Sequence, residues 1–225
     1  GVGLSLRKIT KEASLKIAKS AFEIAKSRSV NKSIKSKIHV VHKANVMKIT
    51  DGIFLDACRL VSSKYNDVDY EEMLVDACAA HLVRKPDQFD VIVTTNMFGD
   101  ILSDLATELS GSLGLAGSLN AGNNHAMAQA QHGAAPDIAD KNIANPISLI
   151  LSSAMLLDWL GKNREIDKLI LASNLINDSV LELLKDRENF TRDLGGNAST
   201  SKITENLIKI LNLSLIHISE PTRPP

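Results

Sequence analysis

The sequence has little cysteine, no excess of charge of either sign and no long apolar run. Each shortage removes a class of protein. The two cysteines, Cys58 and Cys78, both fall within apolar helical patterns and read as buried thiols in a reducing compartment. No pair of Cys or His residues has the spacing of a zinc site. Lys plus Arg and Asp plus Glu balance at 26 each, so neither nucleic acid nor a membrane is expected as a partner. No apolar run is long enough to cross a bilayer. No signal peptide is visible, and the chain opens on Gly1 rather than Met, so the natural start and any targeting peptide are expected upstream. What remains is 225 residues, 44% hydrophobic and 23% charged, a globular composition with room for one large or two small domains.

Periodicity organises this material into alternating helices and strands, which argues for an α/β class. A helix is expected from about Lys11 to Ser27, with Thr10 as its N-cap and Leu15, Ala18, Phe22 and Ala25 as its apolar stripe. Basic residues from Arg28 to Lys37 form a solvated loop. Ile38 to Val41 is a short strand, and Asp51-Gly52 leads into a helix through Phe54, Cys58 and Val61. Tyr70 to Val75 is a second strand, with Asp76 capping the helix after it, and Val91 to Val93 is a third. Glycines 111, 114, 117 and 122 mark a loop-rich passage and a domain boundary near its start. Their spacing is not the GxGxxG dinucleotide fingerprint. Ala126 to Ala130 reads as a strand. Asn145 caps a helix with Pro146 at its first position and Gly161 past its end. Two more helices follow near 164–185 and 201–212. Helical periodicity stops near Leu211, and residues 213–225 resemble translated adapter or vector DNA; they are expected to be a non-native or disordered tail.

The chemistry centres on the stretch from Asn96 to Leu105. Asp100 and Asp104 are four residues apart, so a helix puts both carboxylates on one face. Like charges at that spacing repel; a solvated helix face tolerates them, and a hard divalent cation, Mg²⁺ or Mn²⁺, would use them. Phe98, Ile101, Leu102 and Leu105 around them suggest a helix largely buried in a core. Lys43 follows a strand, where α/β proteins place ligands; next to a bound cation such a lysine can accept a proton. Asp76 reads equally as a plain N-cap or as a third carboxylate for the same ion. Asp137 is either a turn residue or an acceptor for a ribose diol, whose charge favours NAD over NADP. His132 alone is a turn residue as readily as a ligand.

Three stretches together, His42 to Gly52, Asn96 to Leu115 and His132 to Asn145, resemble the isocitrate/isopropylmalate dehydrogenase family. The similarity runs in one order from Gly1 to about Leu211, and Gly1 to Thr10 is most similar to NAD-dependent isocitrate dehydrogenases. The resemblance implies the two-domain isopropylmalate dehydrogenase-like α/β fold without the N-terminal part of its large domain. Residues 1–110 would be the small domain, with the dimer interface and metal site, and residues 111–212 the C-terminal part of the large domain, with the NAD-adenosine loop. It implies metal-dependent oxidative decarboxylation of a 2-hydroxy acid, isocitrate by preference, with NAD as acceptor. It makes Asp100 and Asp104 ligands of Mg²⁺ or Mn²⁺, with Asp76 reaching the same ion from the other subunit, and Lys43 the catalytic lysine, also contributed across the dimer. Asn45 would lie near the nicotinamide and substrate. His132, Gly133, Ala135, Asp137 and Ile138 would wrap the adenosine, and Asn145 would contact the adenine. The partners implied are a small hydroxy acid and further like subunits, as a homodimer or hetero-oligomer. The location implied is intracellular: the mitochondrial matrix in a eukaryote, otherwise the cytoplasm.

Two departures accompany the resemblance. Gln129-Ala130-Gln131 stands where the family usually has a Glu. The family's first third, with its substrate arginines and catalytic tyrosine, has no counterpart, and neither Tyr65 nor Tyr70 lies at the tyrosine's position. The 225 residues alone are therefore expected to be inactive. Sister activities on 3-isopropylmalate, homoisocitrate or tartrate, and a non-catalytic regulatory subunit, are the rival readings.

Overall fold

A computed structural model describes residues 1–29 and 36–219. The expected loop from Arg28 to Lys37 lies partly outside the described residues, as does the end of the expected tail, 220–225. The chain divides into two compact units, Gly1–Leu109 and a second that begins at Ser110.

The first unit is built on a three-stranded parallel sheet: β1 (Lys37–His42), β2 (Asp69–Leu74) and β3 (Val91–Thr94), in the order β2-β1-β3. Its helices are α1 (Lys11–Ser29), α2 (Lys48–Ser62), α3 (Val75–Arg84) and α4 (Asn96–Ser110). Thr10 caps α1, its Oγ1 accepting from Ala13 N–H at 3.2 Å. Successive residues of β1 point to opposite faces. Ile38 and Val40 join Phe22, Phe54 and Cys58 in a core that α1 and α2 cover. Val41 joins Met73, Cys78, Leu82 and Leu102 in a core that α3 and α4 cover. Both cysteines are buried free thiols; burial pushes Cys58 up to about 12 and Cys78 up to about 11, so neither is a thiolate near neutral pH.

The second unit pairs a hairpin with helices. β4 (Gly117–Ala121) and β5 (Ala126–Ala130) are antiparallel, and α5 (Ile147–Arg164), α6 (Asp167–Leu183) and α7 (Thr200–Ser219) enclose a core of Ile147, Val180, Leu183, Ile203 and Leu207.

Several expectations change. β4 sits in the glycine-rich passage that reads as loop, because its Gly-Ser-Leu-Asn-Ala run has no β-branched residue. Gly161 lies inside α5, where α6 packs so closely that a Cβ would stand 2.6 Å from Ile170 Cγ1. The helix stops instead at Glu165, in the left-handed conformation at φ 55°. Asp76 is inside the first turn of α3 rather than its cap, which is Leu74. α4 is not wrapped by core: Phe98 and Leu102 are buried, but Ile101 is 60% exposed. α7 continues past Leu211 to Ser219. Among the described residues, no helix is long and apolar enough to cross a membrane.

Candidate functional site

Because the three strands are parallel, their carboxyl ends share one edge of the sheet. The loop after β1 carries Lys43, β2 runs straight into Asp76, and β3 leads through Thr95 into α4. The strand order reverses about β1, and such a reversal is where open α/β sheets hold ligands.

Lys43 and Asp76 meet there: Lys43 Nζ donates to Asp76 Oδ1 at 2.5 Å. That hydrogen bond holds the Asp76 carboxyl below its ordinary range. The Lys43 backbone is pinned as well, its N–H donating to Asp51 Oδ2 at 2.6 Å. Asn45 is exposed in the turn that follows, closed by Val46 and Met47 N–H groups donating to Lys43 O at 3.0 and 2.9 Å.

Asp100 and Asp104 stand one turn apart on α4, and both are exposed. Two carboxylates on one open face offer hard oxygen donors of the kind a small divalent cation takes. Among the described residues of one chain, no three His, Cys, Asp or Glu side chains gather into a metal-binding group.

In the second unit, His132, Gly133, Ala135 and Asp137 form an exposed loop after β5, with Ile138 half-buried. Ala135 adopts the left-handed conformation at φ 41° and opens a 3-10 turn over Pro136–Ile138. His132 Nδ1 lies 2.9 Å from Gly133 O, a bond within its own loop. Asn145 is nearly buried, and both ends of its amide are engaged. Its Oδ1 accepts from Ile147 N–H at 3.0 Å at the first residue of α5, whose N-cap is Pro146 and not, as expected, Asn145, and its Nδ2 donates to Asp193 Oδ2 at 2.9 Å. Asp193 Oδ2 also accepts from Ser112 Oγ at 2.6 Å. Burial alone would push the Asp193 carboxyl up; hydrogen bonds, those from Ser112 and Asn145 among them, outweigh it and hold it below the ordinary range.

Four supporting residues carry no motif. Asp51 reads only as a helix start, although it is fully buried. Asp193 sits in a Gly-rich separator. Ser148 and Ser152, both fully buried, bond one face of α5 to the hairpin. Ser148 donates to Ala116 O at 2.5 Å and accepts from Gln131 N–H at 3.3 Å; Ser152 donates to Gln129 O at 2.7 Å and accepts from Ser118 N–H at 3.0 Å. They fix β5 just before His132. Two serines four apart in an apolar helix are the only trace they leave in the sequence.

A parallel sheet with a lysine–aspartate pair at its carboxyl edge, in a chain whose second unit is a helix-backed hairpin and loop, defines the class as a two-unit α/β protein. The isocitrate/isopropylmalate dehydrogenase family model matches residues 1–207, and the chain belongs to that family. It is 45% identical over 203 residues to a 3-isopropylmalate dehydrogenase of Sulfurisphaera tokodaii, covering 90% of this chain and 58% of that one. It is also 45% identical over 216 residues to a mitochondrial NAD isocitrate dehydrogenase regulatory subunit of Dictyostelium discoideum, covering 96% and 58%. The crystal structure of isocitrate dehydrogenase from Methylococcus capsulatus superposes with a TM-score of 0.81 at 39% identity, covering 92% of this chain and 58% of that one. The fold is thus α/β of the isocitrate/isopropylmalate dehydrogenase type, and the chain spans under three fifths of the length of these relatives.

Proposed function

We propose that the full-length protein carries out metal-dependent oxidative decarboxylation of a 2-hydroxy acid, isocitrate by preference, with NAD as hydride acceptor. The observation that carries this reading is the Lys43–Asp76 pair at the carboxyl edge of the sheet, in a chain that also presents Asp100 and Asp104 on an open helix face. Asp100 and Asp104 would hold Mg²⁺ or Mn²⁺, with Asp76 of a second subunit reaching the same ion. A bound cation supplies positive charge that makes the substrate hydroxyl more acidic and offsets the charge that develops as CO₂ leaves. Lys43 as the free amine, directly or through water, takes the hydroxyl proton, and Asp76 accepts from the ammonium so formed and keeps it oriented toward the partner's site. Asn45 borders the nicotinamide and substrate. His132, Gly133, Ala135, Asp137 and Ile138 receive the adenosine, Asp137 accepting from the ribose hydroxyls. Asn145, held by Asp193, lines the adenine. Exposed Val83, Met97 and Ile101 on α3 and α4 supply apolar surface for a homodimer or a hetero-oligomer of like subunits.

The 225 residues alone are inactive in this reading, because the groups that bind the substrate carboxylates lie elsewhere in the full-length protein. A second reading, 3-isopropylmalate as substrate, is favoured by the 45% identity to the Sulfurisphaera enzyme, equal to that to the Dictyostelium subunit. Initial rates of NADH formation by the full-length protein on isocitrate, 3-isopropylmalate, homoisocitrate and tartrate, with Mg²⁺ or Mn²⁺, decide between them. Turnover of isocitrate above the others is expected; turnover of none, with either metal, would remove the catalytic reading and favour a regulatory role.

A further inference from the structure

We propose that Arg7 and Asp51 form a buried clamp that positions Lys43 and ties it to the entry of α4. The role of Lys43 in the chemistry rests on the function proposed above. Asp51 is fully buried, and a buried carboxylate is kept only where it is paired and hydrogen-bonded. Both of its oxygens are used. Oδ2 accepts from the backbone N–H of Lys43 and Oδ1 from Arg7 Nη1, each at 2.6 Å. Arg7 Nη2 donates to Thr95 Oγ1 at 2.6 Å, and Nη1 also stands 2.8 Å from Met47 Sδ. The guanidinium carbon lies 5.2 Å from the centre of the Phe98 ring.

These partners come from the leading segment, the β1–α2 turn, α2 and the start of α4. The Lys43 N–H is the first amide after β1, so fixing it fixes the direction in which its side chain leaves the sheet edge. Thr95 immediately precedes α4, which carries Asp100 and Asp104. A planar guanidinium donates in fixed directions from separate nitrogens, so one side chain satisfies Asp51 and Thr95 together; an ammonium is a single point donor. The clamp thus couples the lysine to the carboxylate-bearing helix of the same chain. In a dimer of the proposed kind those two groups serve different sites, so the clamp would also link one site to the other. Arg7 and Asp51 are positioning residues, not catalytic ones.

The test compares the full-length protein with its Arg7→Met, Arg7→Lys and Thr95→Val variants by hydrogen exchange and steady-state kinetics. In Arg7→Met, exchange of the 43–47 segment is expected to rise about tenfold while β1 keeps its protection. The value of kcat falls about tenfold, with KM for the hydroxy acid within about twofold. Arg7→Lys recovers part of kcat. Thr95→Val keeps Asp51 paired, so it folds, and shows a smaller loss of the same kind. A uniform rise in exchange across the first unit in Arg7→Met, together with wild-type kcat in Thr95→Val, would reduce the clamp to a plain stabilising ion pair and overturn the proposal. If the unaltered protein turns over no hydroxy acid, the proposed function fails by itself. The exchange arm then decides the clamp: loosening confined to 43–47 supports it, and unchanged protection there overturns it.

Discussion

The two units hold their candidate residues in different ways. The first uses charge: Arg7 against Asp51, and Lys43 against Asp76, at the edge of a parallel sheet. The second uses neutral donors and backbone shape: serines along α5 stitch the hairpin, Ala135 takes a left-handed turn, and Asp193 gathers Ser112 and Asn145. The contrast fits the tasks proposed for them. A group that moves a proton beside a cation needs a fixed field, whereas a loop that wraps a nucleoside needs a fixed shape. The same contrast makes loss of a single charge in the first unit more costly than loss of a single hydroxyl in the second.

The chain carries its own reporters for this difference. Both tyrosines, Tyr65 and Tyr70, lie in the first unit and the single tryptophan, Trp159, in the second. Asp51→Ala should give the largest effect, about 3–5 kcal/mol, because it strands Arg7 and a buried amide. The denaturant midpoint followed by tyrosine emission should fall while that followed by Trp159 stays; equal shifts in both would mean that the two units do not depend on their charged pairs differently.

Next comes Ser152→Ala, which removes a donor to Gln129 O and an acceptor for Ser118 N–H and should cost the second unit about 1–3 kcal/mol. Here the Trp159 transition should move and the tyrosine transition should not.

A gentler handle is pH. His39 on β1 is fully buried, its ring 4.6 Å from that of Phe89, and among the described residues neither of its nitrogens has a hydrogen-bond partner. Burial lowers its pKa and so does Lys37; Glu71, with its Oε2 3.8 Å from Nε2, opposes them, and His81 adds to the lowering. The unfolded chain therefore binds this proton at a higher pH than the folded one. His39's contribution is intact above about pH 6.5 and declines as pH falls toward the depressed folded value. The depressed Asp193 carboxyl works in a lower window. Its contribution is present above the ordinary carboxylate range and is lost as pH falls through the folded value. Between pH 7 and 5 the tyrosine transition should weaken and the Trp159 transition should hold, and His39→Leu should flatten the former. The smallest effect belongs to Lys162→Ala, which breaks an exposed pair with Asp158 and should move the Trp159 midpoint by less than about 0.5 kcal/mol.

Much of the first unit is legible in the sequence because its signals are local. Val91 to Val93 is a β-branched run and Ile38 to Val41 is β-branched but for His39, Thr10 is a cap within three residues of its donor, and the four-residue spacing of Asp100 and Asp104 fixes their common face once α4 forms. What escapes is what depends on distance along the chain. Arg7 and Asp51 are separated by 44 residues, and Ser112 and Asp193 by 81, so no window contains either pair. Gly161 reads as a stop because its reason, the close approach of Ile170, comes from the next helix. Ile101 reads as core because apolar periodicity marks an apolar residue without saying whether any surface covers it.

In the dimer proposed above, Lys43 and Asp76 of one subunit complete a site with Asp100 and Asp104 of another. Full-length protein carrying Lys43→Met and full-length protein carrying Asp100→Asn are each expected to be inactive. After they are unfolded and refolded together in equal amounts, random pairing gives about a quarter of wild-type turnover, because half the dimers regain one intact site. A mixture as inactive as either variant alone, with mixed dimers formed, would mean that all four residues serve a single chain and that no site is shared between subunits.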